Sequence, residues 1–191
     1  MAESCKTLTS EQFERESEEA RFIRAARQDP RAFGELYKLY VNHVFKYLCS
    51  RVGNVHDAED ITAQTFLAAF EAFDRFHRDG NFAPWLFAIA RNKATDHFRQ
   101  HKNSTSIDAA GDFPVDSDPL TDMIRSEQAA ALSKLIHDLP EEEQELLRLR
   151  FLAGMSFPQI ALLFHHNEDA VKKTIYRLLA RLQSQLEVSN E

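Results

Sequence analysis

The sequence predicts an all-α protein: two small helical domains joined by an acidic flexible linker. Three observations predict it. Gly and Pro are scarce, at 5 and 6 of 191 residues, while Ala, Leu, Glu, Arg and Gln are plentiful. That is the composition of a chain with few turns and many good helix formers. Apolar residues recur at three- and four-residue spacing over most of the length, the period of one buried helix face. One stretch, 103–121, breaks the pattern with two Pro, one Gly, four Asp and no base, and reads as an extended, mobile connection.

The elements follow in order. Residues 1–20 are polar and acidic, with Glu11, Glu14, Glu16, Glu18 and Glu19, and read as a tail running into a first helix near 11–28. Phe22, Ile23 and Ala26 mark its apolar face. Asp29-Pro30 punctuates it, because proline disfavours helix at the residue before it. Phe33, Leu36, Tyr37, Tyr40, Val41, Val44, Phe45 and Leu48 carry a second helix near 30–52, which Gly53-Asn54 ends. A third begins near His56 or Asp57 and reaches about Phe76. A fourth begins near Phe82–Trp85, with Pro84 tolerated in its first turn, and ends near Lys102. The first domain is therefore 21–102 and the linker 103–124.

The second domain, 125–187, is more sharply punctuated. Leu132, Leu135, Ile136 and Leu139 share one face. Pro140 and Glu141, Glu142 and Glu143 open the next helix, since acids suit a first turn, and Gly154 stops it. Ser156 with Gln159 three residues on is a capping-box pattern. Ile160, Leu163 and Phe164 form the buried face of a short helix. His165-His166-Asn167 makes a tight turn with Asn167 as N-cap, and Val171, Ile175, Leu178 and Leu182 make the last apolar stripe.

Charge is distributed in blocks. The net charge is −7, yet residues 85–102 carry Arg91, Lys93, Arg99 and Lys102 against Asp96 alone. Residues 108–145 are strongly acidic. Residues 146–186 are basic again, with only Glu168 and Asp169 opposing their Lys and Arg. Patches rather than totals decide where a polyanion binds. No apolar run approaches a membrane span of roughly 18 residues, and the Glu-rich N-terminus is unlike a signal peptide. Cys5 and Cys49 form no framework and no CxxC pair, so a cytoplasmic location is expected.

Three constellations carry the functional reading. Residues 156–182 have the proportions of a helix-turn-helix. With Val171 and Ile175 turned inward, Lys172, Lys173, Tyr176 and Arg177 face out toward phosphates and base edges. An ordinary helical hairpin with a solvated cationic face is the other reading. The turn usually takes Gly for a positive φ, whereas His165 or His166 must take it here. Glu168 and Asp169 either accept from cytosine or cap the helix. Asp57, Asp60 and Gln64 share one helix face with Glu59 beside it. They are either a partner-binding face or compensation of the helix dipole, which does not account for Gln64. Residues 76–99 interleave Phe76, Phe82, Trp85, Phe87 and Phe98 with Arg78, Arg91, Lys93 and Arg99, a pattern that suits unpaired bases stacked on rings while cations track phosphates. The alternative is a core in which Trp85, Ile89 and Phe98 pack. Phe76 and Asn81 flank the Gly80 loop and are the better contact candidates. His97 and His101 sit four apart, but no third metal ligand has suitable spacing. No cofactor is implied, and no catalytic motif supports an enzyme.

Several motifs in order resemble one family, the extracytoplasmic-function group of bacterial sigma factors, with regions 2 and 4 only. Asp29-Pro30-Arg31-Ala32-Phe33-x-x-Leu36-Tyr37 resembles the opening of region 2. Asp57-Ala58-Glu59-Asp60-Ile61-Thr62-Ala63-Gln64-Thr65-Phe66 resembles region 2.2. Phe82-x-x-Trp85-Leu86-x-x-Ile89-Ala90-Arg91-Asn92-x-x-x-Asp96 resembles regions 2.3 and 2.4. Leu139-Pro140, Leu147-x-Leu149-Arg150, Gly154-x-Ser156, Ile160-Ala161 and Val171-Lys172 resemble region 4. The resemblance covers roughly 22–184.

It implies a subunit that binds core RNA polymerase and directs recognition and opening of promoter DNA, double- and single-stranded, with no catalysis of its own. Asp57, Glu59, Asp60 and Gln64 would face the β′ clamp. Phe76, Asn81, Arg91, Asn92, Asp96 and Arg99 would serve the −10 element, with Phe76 and Asn92 where the family holds a flipped base. Lys172, Lys173, Tyr176 and Arg177 would meet the −35 duplex, and region 4 would touch the β flap. Family members are commonly held by an anti-sigma factor. The rival expectation is a stand-alone helix-turn-helix regulator with a sensing first domain.

Overall fold

The structure, a computed structural model, describes residues 18–76, 81–101 and 129–189, with side chains to 187. The expected linker, 103–124, and the Gly80 loop lie outside the described residues. All described elements are helices or turns.

Helix α1 spans 18–28 and buries Ile23 and Ala26. Glu19, which the sequence groups with the acidic tail, is buried. Its carboxylate accepts from the Tyr40 hydroxyl and, at 3.2 Å, from the backbone N–H of Phe82. Asp29 then accepts from the N–H of Arg31 at 2.9 Å, and Pro30–Ala32 form a 3-10 turn. Helix α2, Phe33–Val52, buries Leu36, Tyr40, Val44, Tyr47 and Leu48. Gly53 ends it at φ 78°, a left-handed conformation in which glycine carries no Cβ penalty.

Asn54 caps helix α3, Val55–Ala72, by accepting from the N–H of Asp57 at 3.1 Å. The helix stops short of the expected Phe76 and finishes as a 3-10 turn, Phe73–Arg75. The tighter turn eclipses residues three apart, which puts Phe73 and Phe76 on the same side, ring centroids 6.1 Å apart. Helix α4, Phe82–His101, packs on α2 and α3 through Phe82, Leu86, Phe87, Ala90 and Ala94. Phe98, expected among the packing residues, is 43% exposed.

In the second half, α5 covers 129–137 and α6 covers Glu141–Leu147. The latter runs into a π turn, Arg148–Leu152, in which Ala153 N–H donates to Arg148 O five residues back. Gly154, φ 68°, releases the chain. Ser156 and Gln159 form the full capping box of α7, Phe157–Phe164, as the sequence predicts. Helix α8, Glu168–Ser189, follows. Leu139, Leu147, Leu178 and Leu182 join α5, α6 and α8 in a small apolar cluster.

The two halves touch. The π turn packs on α2, and α7 packs on α4. Leu149, Ala153, Met155 and Ile160 belong to the same apolar cluster as the first half. At its edge the buried Glu145 accepts from Tyr47 Oη at 2.6 Å and from Arg51 Nη1 at 2.5 Å, and His43 Nδ1 donates to Leu152 O at 3.1 Å.

The turn between α7 and α8 contains the one non-glycine residue with positive φ among those described, His165 at 56°. The N–H of His166 reaches back to Ala161 O at 2.9 Å, a Schellman closure that needs this left-handed residue. A side chain in that region costs about 1–2 kcal/mol, partly offset in glycine by its greater chain entropy. His165→Gly should therefore raise stability by about 0.5–1 kcal/mol in urea unfolding; a loss instead would mean that the imidazole stabilises the turn.

Candidate nucleic-acid and partner interfaces

Helix α3 has two faces. Ala58, Ile61, Thr62, Thr65, Phe66 and Ala69 are buried, and the two threonine hydroxyls are satisfied by donating to Ala58 O and Ile61 O, each at 2.7 Å. The opposite face leaves Glu59, Asp60 and Gln64 exposed. Asp57 differs from them. Its carboxylate lies 3.5 Å from His97 Nε2 on α4 while its N–H is held by Asn54, so it ties α3 to α4 as well as facing out. Glu59 pairs with His56 at 3.7 Å, both side chains largely exposed, a contact of little energetic weight.

Sequence reasoning missed the apolar half of this face. Leu67 is 59% exposed and Phe70 47%, in line with Asp60 and Gln64 at helical spacing. Tyr37 of α2 stands beside them, its ring 4.8 Å from that of Phe66, and Phe70 meets Phe33 at 5.3 Å. Large apolar side chains left in water next to carboxylates mark a docking face better than either type alone. The available signal was that Leu67 and Phe70 fall off the spacing of the buried residues.

On α4, Asn92, Asp96 and Arg99 lie at i, i+4 and i+7 and share one outward line. Asn92 and Arg99 are exposed, and Arg99 pairs with Asp96 at 3.0 Å. Arg91 is turned elsewhere: its guanidinium lies 5.0 Å from the Phe164 ring of α7 and 3.9 Å from Glu145. Phe76 is also not where a surface contact would be. It is 3% exposed, with Phe82 at 5.6 Å and Trp85 at 4.9 Å, and its carbonyl accepts from Arg27 Nη2 at 3.1 Å. The reason is packing, because the 3-10 turn delivers its ring to the cluster that starts α4. Asn81, half-buried, uses its carbonyl to accept from Trp85 N–H at 3.3 Å.

The α8 face is as the sequence predicts. Val171, Ile175, Leu178 and Leu182 are buried, and Lys172, Lys173, Tyr176 and Arg177 are all exposed. Tyr176 leans on Phe157, 5.9 Å between centroids, which steadies the ring on the exposed face of the helix. Asn167 Oδ1 accepts from Asp169 N–H at 2.8 Å, so Asn167 is the cap and Glu168 and Asp169 sit in the first turn.

His97 and His101 stack at 4.1 Å, but His101 Nδ1 donates to His97 O at 2.9 Å. Among the described residues no group of three His, Cys, Asp or Glu side chains is placed to hold a metal ion. Burial, with the Glu59 charge as a lesser cause, pushes the Cys49 thiol above its ordinary pKa, the opposite of what a reactive cysteine needs. No helix among the described residues is long and apolar enough to cross a membrane.

Comparison with known proteins matches both halves. Residues 36–104 match the family model of sigma-70 region 2, and residues 129–182 match that of sigma-70 region 4. The chain is similar to the ECF RNA polymerase sigma factor BldN of Streptomyces coelicolor, 35% identical over 83% of this chain; it spans 62% of that protein's length. It is also similar to the RNA polymerase sigma factor NccH of Alcaligenes xylosoxydans xylosoxydans, 30% identical over 90% of this chain and 96% of the relative. Among solved structures, CnrH in complex with the cytosolic domain of CnrY superposes with a TM-score of 0.65 at 26% identity, covering 89% of this chain and 97% of CnrH.

Burial of Phe76 predicts a stability effect. Phe76→Ala should cost about 3–5 kcal/mol in denaturant unfolding, the range for emptying a packed phenylalanine site. A cost below about 1 kcal/mol would place the ring at the surface after all.

Proposed function

The chain belongs to the extracytoplasmic-function sigma factors, and from that membership we propose how its surfaces divide the work of promoter recognition. The observation that carries the reading is that three outward surfaces fall within the two matched regions, two in the first and one in the second. Region 2 holds the Asp60–Gln64–Leu67–Phe70 face and the Asn92–Asp96–Arg99 line, and region 4 holds the Lys172–Lys173–Tyr176–Arg177 face.

The α3 face suits a partner surface that is basic with an apolar centre, and core RNA polymerase supplies it at the β′ clamp. Glu59, Asp60 and Gln64 give the polar contacts and Leu67 and Phe70 the buried area, while Asp57 holds α3 against α4 through His97. The α4 line then works on the −10 element. Flipping a base from the duplex costs a few kcal/mol, which Asn92 and the neighbouring Arg99 offset by hydrogen bonding and charge. Phe76 and Asn81 support that site from below, Phe76 by packing under Trp85. Arg91 joins it only after leaving Phe164. Region 4 lays α8 in the −35 major groove, with Lys172, Lys173 and Arg177 on phosphates and base edges and Tyr176 against the backbone. The segment 103–124 connects the two regions, and region 4 also meets the β flap. The chain has no chemistry of its own in this scheme; the polymerase supplies it. NccH and BldN are named as sigma factors, and CnrH is seen with the cytosolic domain of CnrY; an anti-sigma partner of similar kind fits this chain too.

Run-off transcription with core polymerase on a genomic library is the direct test. Promoter-specific transcripts that require the chain support the proposal, and DNA binding without them would favour a stand-alone regulator. Asp60→Arg should weaken core-polymerase binding roughly tenfold or more, because a like charge set against a basic partner is costly. Unchanged capture of core enzyme would remove Asp60 from the interface. Arg177→Ala should weaken duplex binding about equally across sequences and lower the salt slope by about 1 if it holds a phosphate; a base-specific loss would assign it to readout.

A further inference from the structure

Helix α1 lies before the residues that match region 2, 36–104, and the division of surfaces above gives it no task. Its contacts single it out. Arg27 Nη2 donates to the carbonyl of Phe76 at 3.1 Å. Two turns earlier on the same helix, the buried Glu19 accepts from the N–H of Phe82 at 3.2 Å and from the Tyr40 hydroxyl. The two side chains stand eight residues apart, roughly 12 Å along the axis at ~1.5 Å per residue. Between them they hold the residue before the stretch 77–81 and the residue after it.

Both contacts fall on backbone groups that helices leave open. Phe76 leaves the 3-10 turn in an extended conformation, φ −78° and ψ 105°, so its carbonyl has no helical donor. Phe82 is the first residue of α4, and the first N–H groups of a helix have no partner inside it. Both residues are buried, and a buried backbone group needs a partner from elsewhere. Helix α1 meets each with a side chain of fitting charge: a guanidinium on the carbonyl, and a carboxylate on the N–H at the positive end of a helix.

The rings alone hold this junction loosely. Phe76, Phe82 and Trp85 touch at 5.6 and 4.9 Å, but ring pairs are satisfied over roughly 4.5–7 Å. A hydrogen bond weakens steeply outside a few tenths of an ångström and a narrow angle. The polar pair therefore fixes the end of α3 against the start of α4 more tightly than stacking does. A tilt at Phe82 grows along α4. At Asn92, roughly 15 Å further on, about 5° moves the side chain by ~1 Å, and misplacement of that size costs a binding constellation its geometry.

We propose that Glu19 and Arg27 are positioning residues for −10 recognition: bracketing the junction from α1, they aim α4 and so set where Asn92 meets a flipped base. This role rests on the promoter reading above.

The test uses full chains assembled with core polymerase: Arg27→Met, Arg27→Lys, Glu19→Ala, Glu19→Gln and Arg24→Met. Arg27→Met keeps the stem and removes the donor, and Arg27→Lys restores a donor. Glu19→Ala removes the acceptor, and Glu19→Gln restores one. Arg24, exposed on the same helix, controls for the loss of a positive charge alone. The probe is one promoter recovered by run-off transcription, pre-melted by mismatches across its −10 element. Its affinity for each holoenzyme is measured well below the unfolding midpoint, beside the affinity of each chain for core. Arg27→Met and Glu19→Ala should each weaken probe binding about tenfold, the weight of one charge-assisted hydrogen bond, with core affinity unchanged. Arg27→Lys and Glu19→Gln should return to within about threefold, and Arg24→Met should bind as the parent does. Should Glu19→Ala fail to fold, the Arg27 pair decides. Parental probe binding by Arg27→Met overturns the positioning role, as does an equal loss in Arg24→Met or an equal loss of core affinity. A parent chain that yields no run-off transcript overturns the promoter reading and this role with it; a parent that transcribes beside an Arg27→Met variant that matches it overturns this role alone.

Discussion

Everything in the first half depends on where the ring of Phe82 goes. It is fully buried, and Phe33, Tyr40, Phe73, Phe76 and Trp85 all lie within 6.3 Å of it, centroid to centroid. These rings come from α2, the end of α3 and the start of α4, and most pairs are edge-on or tilted, arrangements that add about 0.5–1.5 kcal/mol each beyond area burial. Glu19 of α1 adds the fourth element by accepting from the Phe82 N–H. A carboxylate at a helix N-terminus also suits the helix dipole. The cluster thereby fixes the origin and direction of α4. A helix aimed from one end presents a definite line of residues at the other, and here that line is Asn92, Asp96 and Arg99.

What was legible in the sequence was local. Gly53, Gly154, the Ser156–Gln159 pair and the unusual histidine turn act through the backbone within a few residues, and each ends or begins a helix where its chemistry requires. The α8 face was legible for a related reason: a long apolar stripe leaves its complement outside. Phe76 was not legible, because its environment is set by rings from α2 and α4 that no neighbour in sequence reveals. Glu19 and Glu145 were hidden by company. Each sits in an acidic run whose average reading is solvation, and each is buried because a hydroxyl or guanidinium from a distant helix meets it. Leu67 and Phe70 are the opposite case, apolar residues of α3 that the core does not take in.

The surface charge follows from the same geometry. The chain is acidic in total, and acids and bases meet both on its surface and in its interior. Exposed pairs such as Arg99 with Asp96 or Lys38 with Glu35 are worth at most about 1 kcal/mol and weaken in salt. They therefore cost little to break. The buried set around Glu145 is different in kind, because water cannot screen it and each member depends on the others.

That difference decides how the two halves relate. An interface made only of Leu149, Ala153, Met155 and Ile160 against the first half would be sticky in water and indifferent to register. Placing one carboxylate among three guanidiniums and a phenol makes closure conditional on register, since a shifted interface strands a buried charge. An acid hidden in a run of acids thus ties α6 to α2 and α4 in one register.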